Sequence, residues 1–276
     1  MLTRVANIQQ YLEAVQHVRP GSQGLLTNFY ASRDQVLGWI SRRRLFVVEA
    51  EGAACFLRCD RDFYHLHHLA ADKRALSRIL ALLPVVIPEG IIATDLVGRG
   101  TEVDELSKLY EGQGFRRYRL LMRMVRFTDG KPVRAEEDSD VVEAVPEDAA
   151  AVLAFFEGTL DRFVEQIPEI EELQSAAIRK EILVARRGRE FAGVLVMRIT
   201  GMSATLRYWI VNGKFRNRGI GSRLIRRFFQ ICSGGKRVVL WVFPDNEDAI
   251  EKYRHYGFAP DGLVDQVLVN RLKGVA

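Results

Sequence analysis

The chain has 276 residues, enough for one large domain or for two domains of about 140 residues each. Hydrophobic residues make up 48% and charged residues 27%, and no apolar run approaches the roughly 20 residues of a membrane span, so we expect no membrane partner. The net charge of +5 suits an anionic ligand but is too small to indicate a nucleic-acid partner. Three cysteines form no disulfide framework and the first residues lack a signal peptide, which predicts a cytoplasmic protein.

The first half of the chain predicts a hairpin, a third strand, a helix, a buried strand, a second helix and a last strand. LFVVEAEGAACFLRC at 45–59 is typical of two strands around a glycine turn, and FYHLHHL at 63–69 of the third strand. His65 and His67 would share one face of that strand. No cysteine or carboxylate has the spacing of further ligands, so we expect no metal. The second helix ends in YEGQGF at 110–115.

A polar segment then interrupts the pattern. FTDGKPVRAEEDS at 127–139 is charged and almost free of apolar residues, and strand-like segments lie on both sides of it. We interpret residues 128–137 as a linker between a domain of residues 1–127 and a domain of residues 138–276.

The second half repeats the order of elements of the first. EILVARRGREFAGVLVMRI at 181–199 predicts the hairpin, ATLRYWIV at 204–211 a third strand, and KRVVLWVF at 236–243 the buried strand. A strand, a helix and a strand in this order predict a right-handed crossover with parallel strands. The second helix ends in YRHYGF at 253–258, whose Tyr, Gly and Phe match those at 110–115 at one constant offset. We therefore expect two domains of related fold.

The loop from Lys214 to Gly221 joins a predicted strand to an amphipathic helix. The first N–H groups of a helix have no partner within it and carry the positive end of its dipole. Gly219 and Gly221 leave this backbone bare, and Arg216 and Arg218 can add charge-assisted hydrogen bonds. The pattern predicts a site for a pyrophosphate or a similar anion, and a purely structural turn is the alternative.

The first half lacks this bare loop. No glycine occurs from Ala53 to Ile87, and without gaps Leu76 and Arg78 stand where the second half has Gly219 and Gly221. Side chains there would keep a phosphate away from the backbone, so we expect the first domain not to bind the anion.

Two motifs of the second half resemble the GNAT superfamily of N-acetyltransferases. VNGKFRNRGIG at 211–221 resembles its acyl-CoA signature V-x-P-x-Y-R-x-x-G-x-G, with Gly213 and Phe215 in place of the usual Pro and Tyr. NEDAIEKYRHYGF at 246–258 resembles its second motif, N-x-x-A-x-x-x-Y-x-x-x-G-F. The resemblance implies an α/β fold of the α+β type with two tandem GNAT-like domains, each a mixed central sheet flanked by helices, of which the first is a degenerate copy.

The resemblance also implies transfer of an acetyl group from acetyl-CoA, as co-substrate, to a primary amine of a small molecule or a peptide in a ternary complex. Tyr253 would be the catalytic acid that protonates the departing thiolate, or else a packing residue. Backbone N–H groups near the end of the strand would polarise the thioester carbonyl, and those at the helix start would hold the pyrophosphate. The cofactor-binding residues so implied are Trp209, Ile210, Val211, Arg216, Asn217, Arg218, Gly219, Ile220, Gly221, Ser222 and Asn246.

Several questions stay open from the sequence. SATLRYWIV at 203–211 has no carboxylate where many relatives carry a general base, so a water chain, Asp161 or Glu165 could serve. The helix predicted at 168–180 carries Glu169, Glu171 and Glu172, which could favour a cationic amine or form a solvated face. Oligomeric state and the identity of the amine are not indicated.

Two rival functions remain. An aminoacyl transferase with tandem GNAT-like domains would use charged tRNA and would not need the intact loop at 216–221. A CoA-sensing or scaffold protein would bind the thioester without turnover.

Overall fold

The computed structural model describes residues 1–21, 24–128, 140–188, 190–232 and 234–272. The chain forms two compact units, a first unit of Met1–Leu121 with Gly262–Ala276 and a second unit of Met122–Asp261. Of the predicted linker at 128–137, all but Thr128 lies outside the described residues. In the described part of the chain, no helix combines the length and the apolar character that crossing a membrane requires.

The first unit has a mixed sheet with helices against it, in the predicted order. Its elements are β1 (Thr3–Arg4), α1 (Ile8–His17), β2 (Leu26–Thr27), α2 (Arg33–Ser41), β3 (Leu45–Ala50), β4 (Ala53–Asp60), β5 (Phe63–Ala70), α3 (Lys73–Val86), β6 (Gly90–Arg99), α4 (Gly100–Glu111) and β7 (Arg116–Phe127), of which β7 enters the second unit at Met122. The hairpin, the third strand and both later helices confirm the reading of the sequence. The short β1 and β2 were not expected from it.

The second unit repeats this layout. Its elements are β8 (Val141–Glu143), α5 (Ala149–Glu157), α6 (Ile170–Ile178), β9 (Ile182–Arg187), β10 (Glu190–Thr200), β11 (Ser203–Val211), α7 (Ile220–Ile231), β12 (Arg237–Val242) and α8 (Glu247–His255), and the last strand, β13 (Ala259–Leu272), passes into the first unit at Gly262. The strands lie in the order β7-β12-β11-β10-β9-β8. β11 and β12 are parallel, as the crossover rule predicts, and the other neighbours in this unit are antiparallel.

The last strand of the chain belongs to the first unit from Gly262 onward. Leu263–Leu272 of β13 pair antiparallel with β6 along its whole length, from Arg99 to Gly90. The predicted domains of residues 1–127 and 138–276 would instead assign this strand to the second domain. Apolar alternation shows that a segment is a strand, but it does not name the neighbour, because any exposed sheet edge offers the same backbone groups.

Helices cover both faces of the second unit's sheet. α7 packs Leu224, Phe228 and their neighbours at helical spacing against one face, where they are fully buried. α5 and α6 pack against the other face, around Phe156 and Tyr208. Gly193 of β10 allows α7 to come close, because a Cβ at this position would lie 2.9 Å from Leu224 Cδ1.

Candidate active site

The parallel strands β11 and β12 part from one another soon after they meet. They pair only from Ser203, opposite Arg237, to Thr205, opposite Val239. Beyond Thr205, β11 continues along β10 to Val211, while β12 continues along β7 to Val242. Within the described residues, one edge of β11 therefore has no strand partner over its last residues, and its backbone groups on that edge are available to a ligand.

Hydrogen bonds to β10 show which groups of β11 face the gap. The N–H of Asn212 donates to the carbonyl of Ala192 at 3.0 Å. Since successive residues of an antiparallel strand alternate between its two edges, the N–H of Ile210 points toward β10 as well. The N–H groups of Trp209 and Val211 then point toward the gap. This is the orientation that donors to a ligand in the gap require.

The loop after β11 leads directly into α7. Gly219 caps the helix in the left-handed region, with φ +74°, and a Cβ there would meet no atom within 4 Å. The open space in front of the first turn is what an anion at a helix N-terminus needs. The indole Nε1 of Trp209 donates to the carbonyl of Gly221 at 3.1 Å, which ties this first turn to the end of β11.

A cavity of about 690 Å³ lies between the end of β11, the start of α7 and α8. The predicted cofactor-binding residues all line this cavity except Arg218, whose guanidinium lies 5.8 Å from the ring centre of Phe215. Asn246 lines the cavity and also caps α8, because its side chain accepts a hydrogen bond from the N–H of Ala249 at 3.2 Å. The structure thus brings together residues from two motifs that lie about 30 positions apart in the sequence.

Tyr253 lines the same cavity from α8. Its ring centre lies 5.7 Å from that of Trp209 and 5.9 Å from that of Phe258. Burial raises the pKa of Tyr253 to about 12, so the hydroxyl keeps its proton at neutral pH. Within the described residues the hydroxyl has no hydrogen-bond partner, which leaves it available to a bound molecule.

The sequence did not lead us to predict the other α8 residues that line the cavity. Two stripes of α8 residues line the cavity at i, i+4, i+7 spacing: Ala249, Tyr253 and Tyr256, and, one residue earlier, Asp248, Lys252 and His255. Helical periodicity counted from Tyr253 would have found them. Lys252 adds a positive charge to the cavity lining, whereas Asp248 and Glu251, the latter also on α8, add negative charges.

The two carboxylates considered as general bases take part in a local turn. Asp161 Oδ1 accepts a hydrogen bond from the N–H of Phe163 at 2.9 Å, and Glu165 Oε2 accepts one from the N–H of Asp161 at 2.6 Å. Neither residue lines the cavity. His65 and His67, considered for a metal, are buried on β5 with ring centres 4.8 Å apart. Among the described residues, no group of three potential metal-ligating side chains was found.

The first unit fills its equivalent gap with its own chain. β5 and β6 are parallel and pair only at Tyr64 and His65, as β11 and β12 pair only at their start. β2 then pairs with Leu69 and Ala70 of β5, on the edge that β4 leaves free. Next to β2, Asn28 spans the gap: its Nδ2 donates to the carbonyl of Asp95 at 2.8 Å and its Oδ1 accepts from the N–H of His68 at 2.6 Å.

The start of α3 is also occupied. Asp72 caps this helix, and its Oδ1 accepts from the N–H of Ala75 at 2.7 Å. A carboxylate at this place takes up a helix donor and repels an anion. Leu76 and Arg78, expected to stand in place of the loop glycines, lie inside α3 instead. Leu76 is fully buried, and Arg78 reaches the carbonyl of Glu51 at 3.2 Å.

Comparison with known proteins finds a family match within the second half. Residues 151–258 match the family described as "Acetyltransferase (GNAT) family". The L-amino acid N-acetyltransferase AaaT of Escherichia coli (strain K12) is 40% identical over 55 residues, which are 19% of this chain and 34% of that protein. The matched segment therefore spans about a third of that curated relative.

Solved structures share the fold of the whole chain. A tandem GNAT protein from the clavulanic acid biosynthesis pathway is 13% identical, with a TM-score of 0.60 over 100% of this chain and 99% of that one. A GCN5-related N-acetyltransferase from Sphaerobacter thermophilus is 19% identical, with a TM-score of 0.59 over 88% and 87%. Identities this low show the fold alone. The chain therefore has the fold of a tandem GNAT protein, and its residues 151–258 match the GNAT acetyltransferase family.

Proposed function

We propose that the second unit transfers an acetyl group from acetyl-CoA to a primary amine. The proposal rests on one cavity. It is lined by the end of β11 beyond its pairing with β12, by the first turn of α7 and by Tyr253. A pyrophosphate would accept hydrogen bonds from the first N–H groups of α7. The pantetheine arm would run along the free edge of β11. The thioester carbonyl would then lie near the N–H groups of Trp209 and Val211.

The reaction follows from these placements. The amine nitrogen attacks the thioester carbon, a C–N bond forms, and the carbonyl oxygen becomes an oxyanion. N–H donors placed in advance stabilise such an oxyanion by about 3 kcal/mol each. The intermediate then collapses, the C–S bond breaks, and the sulfur leaves as a thiolate. Asp161 and Glu165 do not line the cavity, so the proton of the attacking amine passes to water or to Asp248 or Glu251, the carboxylates of α8 that do line it.

Tyr253 would assist the departure of the thiolate by a hydrogen bond. A thiol of the cysteine type has a pKa of about 8.5, whereas burial raises the pKa of Tyr253 to about 12. Complete proton transfer from Tyr253 to the sulfur is therefore uphill. The developing negative charge on sulfur is still stabilised by the O–H donor, and solvent supplies the proton after CoA begins to leave.

The proposal is tested by incubating the full chain with acetyl-CoA and a panel of polyamines, amino sugars, amino acids and peptides. Amino acids belong in the panel because the curated relative is named for them. Acceptor-dependent release of free thiol, with the acetylated amine seen by mass spectrometry, is the expected result. Binding of acetyl-CoA without thiol release from any acceptor would indicate a CoA-sensing protein. Transfer from charged tRNA without CoA affinity would indicate an aminoacyl transferase.

A further inference from the structure

Arg207 stands at an irregularity of β11 just after the strands part. Tyr208 lies opposite Val196 and Leu206 lies opposite Met197, so Arg207 has no partner on β10. One extra residue in one strand of an antiparallel pair is a β-bulge, which redirects the side chains around it. The bulge lies two residues beyond Thr205, the last residue of β11 that pairs with β12.

The bulge changes which face the side chains of β11 reach. Ala204 and Leu206 before it, and Trp209 and Val211 after it, pack with α7 and α8. Tyr208 packs on the opposite face, with α5 and α6. The guanidinium of Arg207 lies 5.2 Å from the centre of the Tyr208 ring, and its Nη2 lies 3.2 Å from the Tyr208 hydroxyl. Arg207 therefore presents its charge on the face away from the cavity.

Arg207 forms no ion pair among the described residues, although Glu165 and Glu172 both act electrostatically on the neighbouring Tyr208 hydroxyl. The Arg207 side chain is exposed, and among the described residues no carboxylate lies within ion-pair distance of it. The nearby Glu165 directs Oε2 to the N–H of Asp161 instead. The Tyr208 hydroxyl donates to the carbonyl of Glu165, so the ring under the guanidinium is held in place. The result is an arginine positioned on an aromatic ring with donors left over.

The position of Arg207 matters because two substrates must reach one carbon. A thioester bound in the cavity fills the α7 and α8 side of the gap, so the second substrate approaches from the α5 and α6 side. On that side Arg207 lies two residues, roughly 7 Å along the strand, from Trp209 at the cavity. A planar guanidinium with free N–H donors matches the two oxygens of a carboxylate.

We propose that Arg207 binds a carboxylate of the acceptor, so the acceptor is a primary amine that also carries a carboxylate. The proposal rests on the acyl transfer proposed above and adds the class of acceptor to it. In the reaction, the acceptor's amine forms the new C–N bond, CoA leaves as the thiol, and the carboxylate stays bound to Arg207 unchanged. An amino acid has both groups, whereas a polyamine or an amino sugar lacks the carboxylate.

The experiment compares matched acceptors. The proteinogenic L-amino acids are tested against the amines that remain when their α-carboxylate is removed, with thiol release as the readout. For the wild-type chain, kcat/KM is expected to be higher for amino acids. Arg207→Gln should lower kcat/KM for the best amino acid by about 10- to 100-fold, the loss typical of a hydrogen bond to a charged group. It should leave the decarboxylated amine within about 2-fold. Arg207→Lys keeps the charge without the planar fork. Its kcat/KM for the amino acid should lie between those of the wild-type chain and of Arg207→Gln.

Arg254→Gln is the matched control. It removes the same charge from an exposed position of α8 outside the cavity lining, and it should leave both rates unchanged. An equal loss with both kinds of acceptor in Arg207→Gln would contradict a carboxylate contact. A wild-type preference for the decarboxylated amines would contradict it as well.

A second measurement separates this proposal from the acyl transfer. Amino acids are titrated by calorimetry into the chain saturated with CoA, where no chemistry occurs. Binding that Arg207→Gln abolishes and Arg254→Gln retains supports the carboxylate contact even if no acetyl group is transferred, and in that case only the acyl transfer fails. The absence of amino-acid binding and of amino-acid turnover in the wild-type chain would overturn the Arg207 proposal, whatever acceptor proves to be used.

Discussion

Tyr253 is the residue whose surroundings say most about the chemistry. Its ring packs against Trp209 and Phe258, so the phenyl part has a packing role whatever the hydroxyl does. Tyr253→Phe retains this packing and removes only the O–H donor. We expect turnover to fall by roughly 10-fold or more with CoA affinity nearly unchanged, because the donor acts on charge that develops only as the thiolate leaves. Steady-state rates with calorimetry of CoA test this. Intact turnover would make Tyr253 a packing residue.

We expect His68 to make the stability of the protein depend on pH. Burial lowers the pKa of His68 to about 3, and its Nδ1 lies 2.8 Å from the hydroxyl of Tyr110. An unfolded histidine has a pKa of about 6.5, so between pH 6.5 and pH 3 the unfolded chain takes up a proton that the folded chain does not. The free energy of unfolding should therefore fall by about 1.4 kcal/mol per pH unit as the pH drops below 6.5, with no contribution from this group above it.

Urea unfolding of the wild-type chain and of His68→Gln measures this dependence. Buried His67, whose pKa is also lowered well below 6.5 by burial, contributes in the same direction in both proteins. The variant should thus lose part of the acid sensitivity, and the difference between the two curves should grow as the pH falls. Parallel curves from pH 7 to pH 4 would show that His68 is not responsible.

We expect cofactor binding to depend on the start of α7. Gly221 lies in its first turn, and a Cβ there would make only ordinary contacts, 3.4 Å from Val211 Cγ2 and 3.5 Å from the Trp209 ring. Aspartate is favourable in the first turn of a helix, so Gly221→Asp should fold. Its carboxylate would repel the pyrophosphate from the helix start, and CoA affinity should fall by roughly 100-fold or more.

Gly158→Asp provides the control for this change. It adds the same charge at the end of α5, at a glycine whose φ of −80° any residue can adopt. CoA affinity measured by calorimetry should be unchanged in this variant. If Gly221→Asp also bound CoA as the wild-type chain does, with circular dichroism showing a folded protein, the phosphate site would lie elsewhere.

The two units share one layout, and in the described part of the chain only the second unit has an open gap between its parted strands. In the first unit, β2 and Asn28 close the gap and Asp72 occupies the start of α3. In the second unit the corresponding space is a cavity of about 690 Å³. We therefore expect one CoA per chain, bound by the second unit. Calorimetry of the full chain should give a stoichiometry near one, and a value near two would contradict the assignment of the first unit as a non-binding copy.

Much of the candidate site is encoded in short stretches. The glycines and arginine of 216–221 and the Asn246, Tyr253 and Phe258 spacing each depend on neighbours within a few turns, because helix starts and caps are built locally. Such local patterns could be interpreted without a partner strand. The alternation of apolar residues at 204–211 and the apolar run at 238–243 likewise predicted two strands. The crossover rule predicted that these strands are parallel.

Other features depended on contacts between distant residues. Asn28 bridges to Asp95, which is 67 positions away, and nothing near Asn28 in the sequence indicates that the gap between β5 and β6 will be closed. Leu263–Leu272 pair with β6, although every part of the pattern placed them with the second half. Arg207 is one of 40 basic residues, and nothing near it in the sequence distinguishes it. In the structure, the bulge in β11 places its guanidinium against the Tyr208 ring. The sequence by itself determined the helices and strands and the two motifs of the predicted site, since those rest on local periodicity and spacing. Only the tertiary structure decided that the gap between β11 and β12 stays open and that Arg207 lies beside it. Strand pairing is set by long-range burial and not by the strand's own residues.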